Sequence, residues 1–265
     1  MAVSLASIRS GASIKAARIM AYGVHGIGKT SLAAGAPNPI FLQTEDGLGL
    51  IDAPSFGLLR SFDEVMDAIG VLYTEDHDYK TVVVDSLDWM EPLVWVQVSK
   101  DNGWKDIETP GYGKGYVAAL DAWRAFLDGL NALRDEKGMT VIMIAHSEIK
   151  RFDSPEHEPF DRYQPKLHSR ASALIQEHAD CVLFANWRVS TVKTDAGFNK
   201  KVTRGVGGGD RLLHTTERPA FLAKNRYAMP DSIPLEWDAI AAHIPFYSQS
   251  ENQTKTQPAT EMETV

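Results

Sequence analysis

A chain of 265 residues, 44% hydrophobic and 23% charged, has enough apolar content to close one large core. It holds no run of 18 apolar residues, so no membrane span or membrane partner is expected. The net charge of −8 excludes a surface coated in basic side chains but not a local basic groove.

The N-terminal stretch MAVSLASIRSGASIKAARIM has charges scattered through it and no continuous apolar centre, so it is read as mature protein rather than a signal peptide. ARIMAYG then predicts a strand, and GVHGIGKTS follows it. The spacing Gly23-x-x-x-x-Gly28-Lys29-Thr30 is that of a phosphate-binding P-loop. Backbone N–H groups must converge on a diphosphate, and Gly23, Gly26 and Gly28 leave room for that approach. Val24, His25, Ile27 and Ser31 complete the cradle. Lys29 is placed to reach the β and γ phosphates, and the Thr30 hydroxyl to ligate Mg²⁺. KTSLAAGA opens a helix whose N-terminus faces the anion, so ATP and Mg²⁺ are the expected ligands.

Strand-like and helix-like runs alternate from there. PIFLQTE (39–45) predicts a strand and SFDEVMDAIGVLYTE (61–75) an amphipathic helix. KTVVVDS (80–86) is a β-branched run suited to a buried parallel strand. Helices are predicted around 87–100 and 116–137, then strands at MTVIMIAHS (139–147) and ADCVLFANWRVSTVKTD (179–195). The only cysteine, Cys181, lies in that last run and is expected to be a buried core thiol; without a disulfide, a cytoplasmic chain is expected. This alternation predicts an α/β fold, a mostly parallel sheet with helices on both faces. Residues 187–224 read as antiparallel strands with glycine turns, GVGGGD (205–210) being a hairpin turn. A short helix is expected near 235–243. Residues 1–247 form one domain in this reading, and the polar, aperiodic 248–265 a disordered tail.

P-loop folds carry their chemistry at the C-terminal ends of the strands beside the loop. Asp85 closes TVVVD, where a carboxylate holds Mg²⁺; the alternative is a helix cap. Glu45 closes PIFLQTE and is placed as the base that orients water, or is a solvated carboxylate beside Asp46. His146 closes TVIMIAH, as a γ-phosphate sensor or a satisfied core edge. Lys224 and Arg226 lie two apart in AFLAKNRYAMP and would share a strand face, as a phosphate clamp or as ordinary surface cations. Between Lys193 and Arg226 stand eight basic residues against three acidic ones, a basic groove or a solvated hairpin face.

FLQTEDGL, VVVDSL and VIMIAH resemble, in order, the corresponding segments of the RecA-like ATPases. The resemblance implies a RecA-like P-loop fold, with Glu45 as catalytic base, Asp85 on Mg²⁺ and His146 as sensor. Histidine departs from the glutamine of RecA itself. The Lys224-x-Arg226 pair resembles the fingers that complete a neighbouring subunit's site in RecA-like and DnaB-like ATPases. Taken whole, residues 15–245 resemble the RecA-core single-strand annealing proteins of bacteriophages, the Sak-type branch. That implies an ATPase acting on single-stranded DNA as a homo-oligomer, ring or filament, with a single-strand binding protein as a further partner. The segment after the sensor, 147–170, is then the DNA surface. Lys150, Arg151, Arg162, Lys166 and Arg170 would lie on phosphates and Phe152, Phe160 and Tyr163 beneath bases, diluted by five acidic residues (Glu148, Asp153, Glu156, Glu158, Asp161). ETPGYGKGY (108–116) is a second mobile element or a helix-leading turn. The competing readings are a DnaB-like helicase or other DNA motor, and a nucleotide-gated binding module with little turnover.

Overall fold

The computed structural model describes Ile8, Gly11, 14–154, 158–195 and 201–248, with backbone alone for 189–195 and 201–208. The tail expected over 248–265 therefore falls outside the described residues from 249 onward.

Among the described residues ten strands form one sheet in the order β10-β8-β7-β1-β5-β4-β2-β3, with β6 attached to β5 and β9 to β7. The parallel half holds β1 (Arg18–Gly23), β2 (Pro39–Gln43), β3 (Ser55–Leu58), β4 (Thr81–Asp85), β5 (Thr140–Phe152) and β7 (Cys181–Asp195). Antiparallel pairing begins where β8 (Lys201–His214) folds back on β7, followed by β10 (Ser232–Pro234). Helices α1 (Lys29–Ala34), α2 (Phe62–Thr74), α3 (Leu87–Asp101), α4 (Lys114–Glu136), α5 (Ser169–His178) and α6 (Trp237–Ala241) cover the sheet. The mixed α/β fold expected from the sequence, parallel in the centre and antiparallel toward the C-terminus, is the fold observed. Among the described residues no helix is long and apolar enough to cross a membrane.

The period-2 rule divides the core between the two faces. Met20 and Tyr22 of β1, Val82 and Val84 of β4, and Met143 and Ala145 of β5 join one cluster, under α2 to α5. Ile19, Ala21, Val83, Ile142 and Ile144 join the other, against α1 and α6. Both faces are buried, which is why these strands read as unbroken apolar runs. Cys181 is buried and free, and burial pushes its thiol up to about 11, as a core residue.

Four expectations are corrected. β3 went unnoticed because SFGL is a short, fully exposed edge strand without apolar alternation. The strand expected at 139–147 is longer: β5 runs on past the sheet to Phe152, where it pairs with β6 (Phe160–Pro165). Phe152 opposes Phe160 with ring centroids 5.5 Å apart, an aromatic cross-strand pair that pins the register. GVGGGD is not the hairpin turn but lies inside β8, where β7 and β8 shift register between Trp187 and Val189. Gly209, with φ 76°, sits at that bulge, which explains glycine there. Finally, β9 is only Lys224–Asn225, so Lys224 and Arg226 do not share a strand face. Residues 108–116 lead into α4: Gly111, Tyr112 and Gly113 all have positive φ, and Gly113 caps the helix.

Candidate nucleotide site

β1 is the strand between β5 and β7, and its last residue, Gly23, lies opposite His146 on one side and Ala185 on the other. A Cβ on Gly23 would stand 2.1 Å from the Ala185 carbonyl oxygen, so only glycine lets β7 approach. The chain then leaves the sheet over Val24 to Gly28. Gly26 (φ 67°) and Gly28 (φ 107°) take left-handed conformations that turn the loop back onto α1. Ile27 is fully buried beneath and anchors the loop to the core, while His25 stays exposed above.

Lys29 opens α1 and is only 6% exposed, its ammonium folded over the loop to donate to the Gly23 and Val24 carbonyls at 3.1 and 3.0 Å. Burial lowers its pKa, against the pull of Asp85, Asp88 and Glu45. Thr30, one residue on, donates its hydroxyl to Asp85 Oδ2 at 2.8 Å. Asp85 ends β4 and is buried, and burial raises its carboxyl against the Thr30 hydrogen bond. The Asp85–Ser86 peptide bond is cis. Ser86, not Asp85, occupies the N-cap of α3. Its hydroxyl does not cap the helix but donates to Glu45 Oε2 at 3.1 Å.

Glu45 is held by backbone as well. Thr44 and Glu45 donate their N–H groups to the Asp85 carbonyl, and the Thr44 hydroxyl donates to the Ser86 carbonyl at 2.7 Å. The ends of β2 and β4 are thereby stitched together, placing the Glu45 carboxylate on the same side as Asp85. His146, at the point where β5 leaves the sheet, stacks its ring on His25 at 4.3 Å and lies 3.8 Å from Glu45 Oε2. Gly28, Lys29, Thr30, Glu45, Asp85 and His146 border one cleft of about 350 Å³. The structure therefore brings together the loop and the three strand-end residues picked out in the sequence.

The groups in this cleft fit ATP and Mg²⁺. Mg²⁺ takes few protein ligands and keeps substrate phosphates and waters; Thr30 Oγ1 and Asp85 are such a pair. The charges of Asp85, Asp88 and Glu45 all act on the Lys29 ammonium, a carboxylate excess that a divalent cation would relieve.

Sequence reasoning missed two contributors. Asp88 binds His146, and nothing in SLDW distinguishes it from an ordinary acidic residue in a first helical turn. Arg211 of β8 donates from Nη1 to the Ile27 carbonyl at 3.2 Å and braces the loop from outside. It stood unsingled among the eight basic residues of 193–226, and only the fold brings it to the loop.

Lys224 and Arg226 lie at the other end of the sheet, where Lys224 pairs with Val182 and Cys181 with Ile19. Lys224 Nζ donates to the carbonyls of Gln176, Glu177 and Ala179, capping the end of α5. Arg226 pairs with Asp180 at 3.0 Å. Of the expected DNA residues, Lys150 pairs with Glu148 at 2.6 Å and Arg151 with Asp153 at 3.5 Å. Arg162 pairs with Glu217 at 3.3 Å and lies 4.1 Å over the Phe152 ring. Lys166, just after β6, and Arg170, in the first turn of α5, are exposed. Tyr163 is the correction here: it stacks on Phe184 at 5.1 Å and packs against the core, which removes its ring from base stacking.

A family model described as an AAA domain matches residues 15–227. No curated protein matches the chain.

Proposed function

The chain belongs to the AAA domain family, nucleotide-binding P-loop ATPases, and from that premise we propose that it hydrolyses ATP with Mg²⁺ to drive single-strand DNA annealing or recombination as a homo-oligomer of bacteriophage type. The observation that carries the ATPase reading is the Thr30–Asp85 contact at 2.8 Å, with Glu45 and His146 bordering the same cleft. Loop N–H groups and the Lys29 ammonium bind the phosphates. Thr30 and Asp85 would hold the metal ion, which would supply charge neutralisation at the phosphate oxygens. Glu45, oriented by Ser86, accepts a proton from the attacking water. His146 contacts the terminal phosphate.

The DNA reading draws support from the β5–β6 hairpin. It starts at His146 and projects beyond the sheet, and Lys150, Arg151 and Arg162 lie on it. Lys150 and Arg151 are exposed on this projecting element and suit a phosphate backbone, while Arg162 is largely covered. Lys166, between β6 and α5, and Arg170, in the first turn of α5, are further exposed cations. Arg226, half-exposed and at the other end of the sheet from its own P-loop, fits a role toward a neighbouring subunit.

ATPase and strand-annealing assays on one preparation test the proposal. Turnover that rises with single-stranded DNA, together with ATP-dependent annealing, supports it. Turnover indifferent to DNA, with no annealing, leaves an ATPase with another task.

A further inference from the structure

His146 is gripped by one side chain at two points. Asp88 Oδ1 accepts the His146 backbone N–H at 2.9 Å, and Asp88 Oδ2 lies 3.0 Å from ring Nδ1. Glu45 Oε2, at 3.8 Å from the same nitrogen, is the more distant carboxylate. His25 covers one face of the ring, the two planes 25° apart. Asp88 belongs to the first turn of α3, and its side chain is 3% exposed. An acidic residue in a first turn ordinarily serves the helix's own N–H groups. Here both oxygens reach across to β5. Burial works against its charge, but the hydrogen bonds from the His146 ring and backbone hold the carboxyl below its ordinary value. Asp88 does not border the cleft.

We propose that Asp88 is the positioning residue for His146: it fixes the ring's rotamer and keeps the proton on Nδ1, so that Nε2 is the nitrogen offered to the nucleotide. The proposal rests on the reading of the cleft as an ATP site. A free imidazole offers either nitrogen in either tautomer, and its partner decides which. An ionised carboxylate accepts hydrogen bonds and donates none, so it selects the Nδ1–H form. Backbone and ring are fixed by the same group, so the strand end cannot shift without carrying the ring. That correlation is what a contact to a terminal phosphate requires, because small misplacements are costly.

Two measurements on the full chain test it. The first is ¹⁵N NMR of the His146 ring without nucleotide, against Asp88→Asn, whose amide still accepts the backbone N–H. Wild type should show a protonated Nδ1, and Asp88→Asn should lose that signature. An unprotonated Nδ1 in the wild type, or an unchanged pattern in the variant, overturns the proposal. This readout needs no ATP, so it fails independently of the ATPase reading; that reading fails if wild type and Lys29→Ala bind a nucleotide analogue equally. The second is a kinetic cycle of Asp88→Asn, His146→Ala and the double variant. Asp88→Asn should lower kcat by roughly 10- to 100-fold with KM for ATP unchanged. The double variant should be no slower than His146→Ala alone, because a group acting through the ring has nothing left to position. Losses that multiply would mean that Asp88 acts on its own and would overturn the assignment.

Discussion

Thr30 Oγ1 donates to Asp85 Oδ2 at 2.8 Å, joining the first turn of α1 to the end of β4 across 55 positions of sequence. The contact sets the spacing of the two groups proposed to ligate Mg²⁺. Thr30→Ala removes the hydroxyl and leaves a buried carboxylate without its donor. The Mg²⁺ concentration for half-maximal ATPase should rise by roughly tenfold or more, since hydrogen bonds to charged groups contribute about 1.5–3 kcal/mol. A Mg²⁺ titration of turnover checks this; an unchanged midpoint would remove Thr30 from the metal site.

Glu45→Gln keeps the shape and can still accept the Ser86 hydroxyl, but the amide takes no proton from water. ATP affinity should persist while turnover falls roughly 10²–10⁴-fold. Equilibrium binding beside single-turnover kinetics separates the two. Full turnover would transfer the base role to another group, with Asp46 next in line.

Gly28→Ala should abolish nucleotide binding for a reason visible in the fold. The new Cβ would stand 2.6 Å from Arg211 Nη1, at a φ of 107° that side chains rarely adopt. Arg211→Ala relieves the contact but not the dihedral, so the double variant should recover little. Calorimetry with an ATP analogue decides it, and full recovery would make the steric contact the whole cause.

Lys224→Met should lower the melting temperature, because three carbonyls at the end of α5 lose their donor. The cost should be on the order of 1–2 kcal/mol. Arg226→Ala, whose partner Asp180 keeps Arg18 at 2.9 Å, should fold normally yet hydrolyse ATP poorly if it serves a neighbouring subunit. Mixing it with Glu45→Gln should then restore activity, since one mixed interface has an intact Glu45 site and an intact Arg226. A rate flat at the mutant baseline at every ratio, with subunit exchange verified, would remove the finger role.

Glu91 gives a pH signature. Burial raises its carboxyl from 4.5 to about 7, although the His168 N–H bond favours the anion. The folded state therefore holds the proton that the unfolded chain has released between pH 4.5 and about 7. Stability should fall as pH rises through that window, by something on the order of 1–3 kcal/mol. Glu91→Gln can still accept the His168 N–H and should flatten the decline. Denaturant unfolding at pH 5 and 8 measures both slopes; parallel slopes would contradict the buried-acid assignment.

The sequence by itself determined the P-loop, the strands β1, β2, β4 and β5 as members of a mostly parallel sheet, and the strand-end positions of Glu45, Asp85 and His146. Each signal is local. Glycine spacing reports backbone turns, unbroken β-branched runs report strands buried on both faces, and a polar residue closing such a run marks the strand's exposed end. The tertiary structure decided what lies next to what. SEIKRF and FDRYQP continue a strand and return because Phe152 meets Phe160, a pairing that no single stretch announces. Arg211 reaches the loop only because β8 folds back along β7. Asp88 looks like any first-turn acid until β5 is laid beside α3, when its two oxygens find the His146 N–H and ring. Lys224 and Arg226 have the spacing of a shared face, yet their strand is two residues long, and the end of α5 and Asp180 claim them. Periodicity records which way a side chain points from its own backbone, while the partner it meets depends on long-range packing that the local pattern does not encode.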